Sequence, residues 1–374
     1  MSSSACIISC SDHYGHRMQL WDTCLQKEGF STTYLTGDFD HYTKKPYVCQ
    51  IPGTVQLAVR PYQKNISVDR ILSHRDFAKK TLGYLEQVRP KVIVSLLPPN
   101  FLAHYLATYK KRHPETILIF DIFDLWPETF PSGGVKKLLA PAFSVWGWLR
   151  DHSLPKADYI TTECELFREK LRLPQEKSQT VHFWSTPAPV TSSPNLAEDS
   201  VSLCYVGFIN NVIGIEEICG LIQNLSQLKP VKLHIIGAGE RTEEFIAQAQ
   251  NAGAEVSYHG AVYDPAQKQQ IMDACHFGLN VMKSSVCVGL TMKSVDYFRH
   301  GLPIINTIPG DTADLVRTRK IGVQLTADCH RQIAELSMEQ LLEMRSNVNK
   351  TFTEVFSYDK AEEKISGILT KLLQ

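Results

Sequence analysis

The sequence predicts an α/β protein built from two doubly wound domains. Short apolar runs such as Val92–Leu97 (VIVSLL) and Val201–Val206 (VSLCYV) have the pattern of parallel strands covered on both faces. Helix-length segments follow these runs, which is the alternation of βαβ units. A Pro-, Ser- and Thr-rich stretch, Ser185–Ser200, then interrupts a pattern that restarts at Val201. The 374 residues are enough for two separate cores, and the expected division is 1–184, a linker at 185–200, and 201–351.

Composition narrows the functional classes. Lys plus Arg equals Asp plus Glu at 39 each, so no global field argues for nucleic acid as a partner. No apolar run approaches the length of a membrane span. The N-terminus, MSSSACIISCSDHYGH, lacks the basic and long apolar regions of a signal peptide. The ten cysteines form no C-x-x-C pair, and the expectation is reduced thiols in the cytoplasm.

In the first half, Ala5–Cys10 reads as a buried strand, and Ser11–Arg17 as a loop leading into a helix through Glu28. A glycine-containing loop after the first strand is where doubly wound folds place ligands. It carries His13, Gly15 and His16. Two histidines without a third partner are weak metal ligands, so no metal is expected; they are candidates for contact with substrate, or ordinary loop histidines. Strands follow at Ser31–Thr36 and Val55–Arg60, a helix at Arg75–Arg89, then strand Val92–Leu97, helix Phe101–Lys111 and strand Ile117–Asp121. That last strand delivers DIFDLWPETF, Asp121–Phe130, where acids beside Trp126 and Pro127 suit an active-site loop. The alternative is that Asp121 or Asp124 caps a turn and Glu128 is solvated. In Gly133–Arg150, lysines lie beside Leu138, Leu139, Phe143, Trp146 and Trp148. This fits either a face touching anionic lipid headgroups or a core helix with a basic edge. Tyr159–Thr162, a helix Glu163–Leu171 and Val181–Phe183 complete the half.

In the second half, strand Val201–Val206 ends at Gly207, and the loop to Gly214 carries Asn210 and Asn211 before a helix to Leu228. Lys232–Ile236 runs into Gly237 and Gly239; a lone G-x-G is a weak nucleotide fingerprint, and close backbone approach is its expected reason. Val256–Gly260 is a strand, Gln267–Cys275 a helix and Phe277–Val281 a strand leading to Lys283. The most informative stretch is Val288–Ile305, VGLTMKSVDYFRHGLPII. Thr291 is the expected N-cap of a helix Met292–His300, with Gly301 at its left-handed end and a strand at Pro303–Asn306. Lys293 puts a cation in the first turn, against the macrodipole, and an anion at the helix tip would remove the conflict. Asp296 lies one turn on along the same face, where a carboxylate could accept from a cis-diol. The alternative is a solvated Lys–Asp pair.

KSVDYFRHGLPII resembles the nucleotide-sugar signature of GT-B glycosyltransferases of the bacterial capsule and lipopolysaccharide type, through Lys293, Asp296, Tyr297, Gly301 and Pro303. The resemblance implies two Rossmann-like domains facing a cleft, with Phe352–Leu373 crossing back to the first. It implies transfer of a sugar from a nucleotide diphosphate, UDP foremost, to a saccharide acceptor of the lipid-linked kind, without metal and with retention, the alternative being inversion with Asp124 as the base. The protein would then work in the cytoplasm or at the cytoplasmic membrane face. In the family, Asp296 would bind ribose. Gly289, Leu290, Thr291 and Lys293 would lie by the diphosphate, and Val262 and Tyr263 where relatives bracket the base. Relatives often place Arg or Lys where this chain has Asn210 and Asn211, so Lys293 and Lys283 would supply the charge. Met292 and Val288 depart from the usual proline and glutamate. DLWPE resembles a segment of lipid-linked oligosaccharide transferases, making Asp124 and Glu128 candidates for polarising the acceptor hydroxyl, with Trp126 beside it. A UDP-sugar 2-epimerase and a non-catalytic sugar-nucleotide-binding partner are the alternatives.

Overall fold

The computed structural model describes residues 4–65, 67–129, 140–188 and 194–374. The chain divides into two compact units, Met1–Val181 with Ala361–Gln374, and His182–Lys360.

The first unit is built on a seven-stranded sheet of order β3-β2-β1-β4-β5-β6-β7, with every pairing parallel. Its strands are β1 (Ser4–Ile8), β2 (Ser31–Gly37), β3 (Thr54–Leu57), β4 (Val92–Leu97), β5 (Ile117–Ile122), β6 (Tyr159–Thr162) and β7 (Ser178–Thr180). The helices are α1 (Gly15–Lys27), α2 (Val68–Val88), α3 (Asn100–Arg112), α4 (Ala140–Asp151) and α5 (Glu165–Lys170). β4 is buried at every residue, as its unbroken apolar run requires of a strand covered on both faces. Inside the sheet, Asp121 receives both Nε and Nη2 of Arg17 at 2.6 and 2.7 Å, the Trp21 indole at 2.8 Å and the Thr161 hydroxyl at 2.7 Å. A buried carboxylate is tolerated only when its charge and lone pairs are met this fully. Asp121 therefore serves the core.

The second unit has a six-stranded parallel sheet of order β10-β9-β8-β11-β12-β13. These are β8 (Val201–Val206), β9 (Val231–Ile236), β10 (Ala254–Gly260), β11 (Phe277–Asn280), β12 (Ile304–Asn306) and β13 (Gly322–Gln324). Around them run α6 (Ile215–Ser226), α7 (Thr242–Asn251), α8 (Pro265–Asp273), α9 (Met292–Arg299), α10 (Asp311–Arg319), α11 (Cys329–Glu335) and α12 (Met338–Thr351). Both sheets start at a central strand, grow outward, then reverse: between β1 and β4 in one unit, between β8 and β11 in the other. Such switch points open a crevice at the carboxyl ends of the strands.

Several elements differ from the sequence pattern. α2 begins at Val68, because Ser67 caps it by accepting from the Arg70 amide. The last strand of the first unit is β7 rather than Val181–Phe183. The polar helices α7 and α10 and the three-residue β13 lack an apolar run long enough to register. Phe352–Leu373 is not one α-helix: a π-helical turn, Phe352–Phe356, precedes α13 (Tyr358–Leu373). The end of α13 belongs to the first unit, where Lys364 donates to the Thr180 carbonyl at 3.0 Å and Glu362 pairs with Lys27 at 2.6 Å.

Candidate functional site

In the second unit the site forms around the tip of α9. Thr291 is the N-cap: its hydroxyl accepts from the Ser294 amide at 3.1 Å, and the Ser294 hydroxyl in turn accepts from the Thr291 amide. A helix starts with four amides that have no partner within it, and this cap meets one. The same Thr291 hydroxyl donates to Asn280 Oδ1 at 2.7 Å, and Asn280 donates to Asn306 Oδ1 at 2.8 Å. Asn306 continues to the Ile308 carbonyl and Gln324. This buried amide chain fastens the helix tip to the ends of β11, β12 and β13.

Tyr297 fixes the other side of α9. Its buried hydroxyl accepts from the Val206 amide at 2.9 Å and donates to the Cys204 carbonyl, at 3.2 Å. Its ring fills the place of a side chain at Gly278, where an added Cβ would lie 2.6 Å from Cδ1. Gly301 takes the left-handed conformation at φ 67°, as its place past the helix end predicts.

With the helix held, Lys293 is placed in the crevice after β8. Its ammonium donates to the Tyr205 hydroxyl at 2.9 Å and lies 4.5 Å from that ring's centroid. Its stem passes Gly207, where an added Cβ would lie 3.6 Å from Cδ and Cε. Burial pushes the amine down to about 8, since desolvation disfavours the charged form. Lys293 is thus a packed, half-desolvated cation, unlike the freely solvated lysine of the alternative reading.

Asp296 is engaged by Lys268 from α8 at 3.1 Å and lies 3.6 Å from His300. Burial works to raise its carboxyl, but the His300 hydrogen bond and the Lys268 charge outweigh it and hold the acid below its usual range. The glycines explain the loop shapes. A Cβ on Gly237 would lie 2.1 Å from the Gly207 carbonyl oxygen, and one on Gly239 would lie 2.1 Å from that of Ile209. The close approach expected of G-x-G is therefore to the neighbouring loop. Asn210 turns its own loop by accepting from the Val212 amide at 3.1 Å. Gly289 accepts the amide and hydroxyl of Thr312, and Leu290 is buried beside it. Lys283 donates its amide to Val212; Asn211 and Tyr263 are exposed, and Val262 is buried.

In the first unit, a pocket of about 210 Å³ opens at the carboxyl ends of β1, β4 and β5, with Asp124, Trp126 and His13 in its wall. His13 stands 3.8 Å from Asp40 and stacks edge-on with Tyr42. Gly15 and His16 open α1 just behind. Asp124 accepts from the Leu125 amide and the Thr129 hydroxyl, and burial pushes its carboxyl up. Glu128 is held bidentately by Arg150 at 2.7 and 2.8 Å, and Arg150 also donates to the Trp126 carbonyl, tying the DLWPE loop to α4. Two further residues of this pocket lie outside the motifs legible in the sequence. Arg70 and His74, one turn apart on α2, are both buried. His74 stacks on Trp126 at 5.9 Å, its Nδ1 has no hydrogen-bond partner among the described residues, and burial pushes it well below its ordinary value. Leu138, Leu139 and the lysines preceding α4 lie outside the described residues. Within α4, Trp146 is buried and Trp148 exposed.

Two parallel doubly wound units, each with its crevice at a switch point, are the GT-B fold. Solved structures agree over nearly the whole chain. Sucrose-phosphate synthase of Thermosynechococcus elongatus superposes with TM-score 0.70 at 13% identity, covering 99% of both chains. Anabaena HepE in complex with UDP gives 0.66 at 14%, covering 99% of this chain and 100% of that one. Within that fold, residues 200–343 match the family Glycosyl transferases group 1. A curated relative, chitobiosyldiphosphodolichol beta-mannosyltransferase of Yarrowia lipolytica, is 32% identical over 97 residues, spanning 26% of this chain and 21% of its own length. The chain thus matches about a fifth of that relative. Together these findings support a transferase.

Proposed function

We propose that this protein transfers a sugar from a nucleotide diphosphate donor to a saccharide acceptor. The observation that carries the reading is Lys293, a half-buried cation at the capped tip of α9, beside the glycine loop after β8. As the diphosphate departs it gains charge, and the helix amides with the Lys293 ammonium offset it without a divalent ion. Lys283 and the backbone of Gly207, Asn210, Asn211, Gly237 and Gly239 border the same place, with Val262 and Tyr263 beside the base. Asp296, kept ionised by His300 and Lys268, accepts from ribose hydroxyls. The departing phosphate oxygen takes the acceptor proton, so the reaction retains configuration and needs no protein base.

UDP is the proposed nucleotide, and the likeness to Anabaena HepE, whose structure is in complex with UDP, supports that choice. The acceptor belongs to the pocket of the first unit, with Asp124 and Trp126 against its hydroxyls, and Glu128 setting the loop. A lipid-linked acceptor is supported by the Yarrowia relative, whose name specifies a saccharide on a lipid diphosphate. No described helix is long and apolar enough to cross a membrane, so contact with a membrane face would be peripheral. Thermal shift against a panel of UDP, GDP and ADP sugars tests the reading. UDP sugars should raise the melting temperature of the wild type and not of Lys293→Ala, and the product's anomeric configuration tests retention.

A further inference from the structure

The wall of the first-unit pocket holds three histidines, His13, His41 and His74. Two of them are engaged: His13 stands 3.8 Å from Asp40, and His41 Nδ1 meets the Tyr62 hydroxyl at 2.8 Å. His74 differs from both. It is 6% exposed, and its Nδ1 has no hydrogen-bond partner among the described residues. Its ring stacks on Trp126 with centroids 5.9 Å apart, and lies 6.3 Å from Trp146 and 6.4 Å from Tyr62.

Such surroundings suit a hydrocarbon ring. Phenylalanine would make the same ring contacts with no nitrogen left unmet, and an unmet buried polar atom costs stability. The polarity of His74 therefore answers to something other than packing. A half-turn about Cβ–Cγ keeps the ring in its stack and exchanges each nitrogen with a carbon, so Nδ1 is not locked away from the cavity. Burial, with the Arg70 charge beside it, holds the imidazole uncharged at neutral pH, where it offers one N–H and one lone pair. That combination matches a hydroxyl, which both donates and accepts, and gives no charge to a phosphate or carboxylate. Asp124 stands in the same wall, with the Leu125 amide and the Thr129 hydroxyl both on its Oδ1. A hydroxyl could donate to that carboxylate, whereas an anionic group would be repelled by it.

We infer that His74 selects the acceptor, by hydrogen-bonding one hydroxyl of an uncharged sugar ring seated in this pocket, with Asp124 taking a second. This rests on the reading of the first unit as the acceptor side. It gives the specificity of that side to a residue of α2, a helix whose sequence carries no motif.

The test titrates the whole protein with the methyl glycosides of glucose, galactose, mannose and N-acetylglucosamine, following tryptophan fluorescence. UDP affinity is measured in parallel. The tightest of these is then compared with its monodeoxy derivatives on the wild type and on His74→Phe. One derivative should bind the wild type about five- to tenfold more weakly than its parent, yet bind His74→Phe as well as its parent does. The missing hydroxyl and the missing imidazole are then two halves of one hydrogen bond. UDP affinity should be the same in both proteins. A histidine that only packs would leave the loss for every derivative equal in both proteins, and that result overturns the inference. His74→Leu repeats the comparison should His74→Phe fold poorly. Methyl glucuronide bound more tightly than methyl glucoside, or a wild type that binds none of the glycosides, overturns it as well; intact UDP binding would then leave the transferase reading standing. Failure of the wild type to bind any nucleotide sugar would count against the transferase reading alone.

Discussion

Replacing Lys293 by methionine separates a ligand-binding lysine from a structural one. The fall of its amine from an ordinary 10.5 to about 8 corresponds to roughly 3 kcal/mol disfavouring the charged form in the folded state. That figure is an upper bound, because the half-buried side chain keeps some water, and about 1–3 kcal/mol is the working range. Methionine has similar length and no charge to desolvate, so Lys293→Met should stabilise the ligand-free protein, raising its melting temperature by roughly 2–8 °C near pH 7. The sign follows from proton linkage. Below pH 8 both folded and unfolded lysines are protonated and the wild type bears the full penalty. Between 8 and 10.5 the folded amine gives up its proton first, so the wild type gains stability relative to the variant as pH rises. The same substitution should weaken UDP by about 1–3 kcal/mol, roughly 5- to 150-fold, the range for a lost charged hydrogen bond. Differential scanning fluorimetry from about pH 6.5 to 10.5 and UDP calorimetry read the two effects. A variant that is less stable at pH 7 and binds UDP as well as the wild type would refute the reasoning.

Three further outcomes are expected. Asp296→Ala should weaken UDP more than inorganic diphosphate, because only UDP carries ribose; equal losses by calorimetry would remove Asp296 from that role. Thr291→Val removes both the cap on α9 and the link to Asn280, and should cost about 1–2 kcal/mol in urea unfolding. Its UDP affinity should fall as well, since the helix tip loses its anchor, and a variant with wild-type stability would contradict the cap assignment. Gly237→Ala places a Cβ 2.1 Å from the Gly207 carbonyl at a φ of 131°. It should destabilise by about 1–3 kcal/mol and lower UDP affinity together; an alanine variant with wild-type melting and binding would contradict the packing argument.

Much of this architecture is legible in the chain itself, because parallel strands buried on both faces leave unbroken apolar runs such as VIVSLL and VSLCYV. The α9 cap, the Gly301 turn and the placement of Lys293 at the helix tip also follow from local chemistry that needs no distant partner. What the sequence hides depends on partners far along the chain. Asp121 and Asp124 stand three residues apart in one motif, yet Arg17, 104 residues before, takes the first into the core. Arg70 and His74 sit on an ordinary helical stretch, and only folding carries them to Trp126. The Asn280–Asn306–Gln324 chain is equally invisible, since nothing local distinguishes an asparagine that ends a strand from one that begins a turn.

The contact of Gly237 with Gly207, and of Gly239 with Ile209, has a consequence for how such a protein can diversify. Where these loops meet, the packing is peptide against peptide, with no room for a side chain to be swapped, so variation there is closed. If the proposed donor site lies here, a change of preferred sugar or base would be written in more exposed residues such as Phe208, 61% exposed, and Tyr263, 90% exposed, rather than in that peptide packing. Divergent relatives should therefore share the shape of the cradle while differing in the side chains that overhang it.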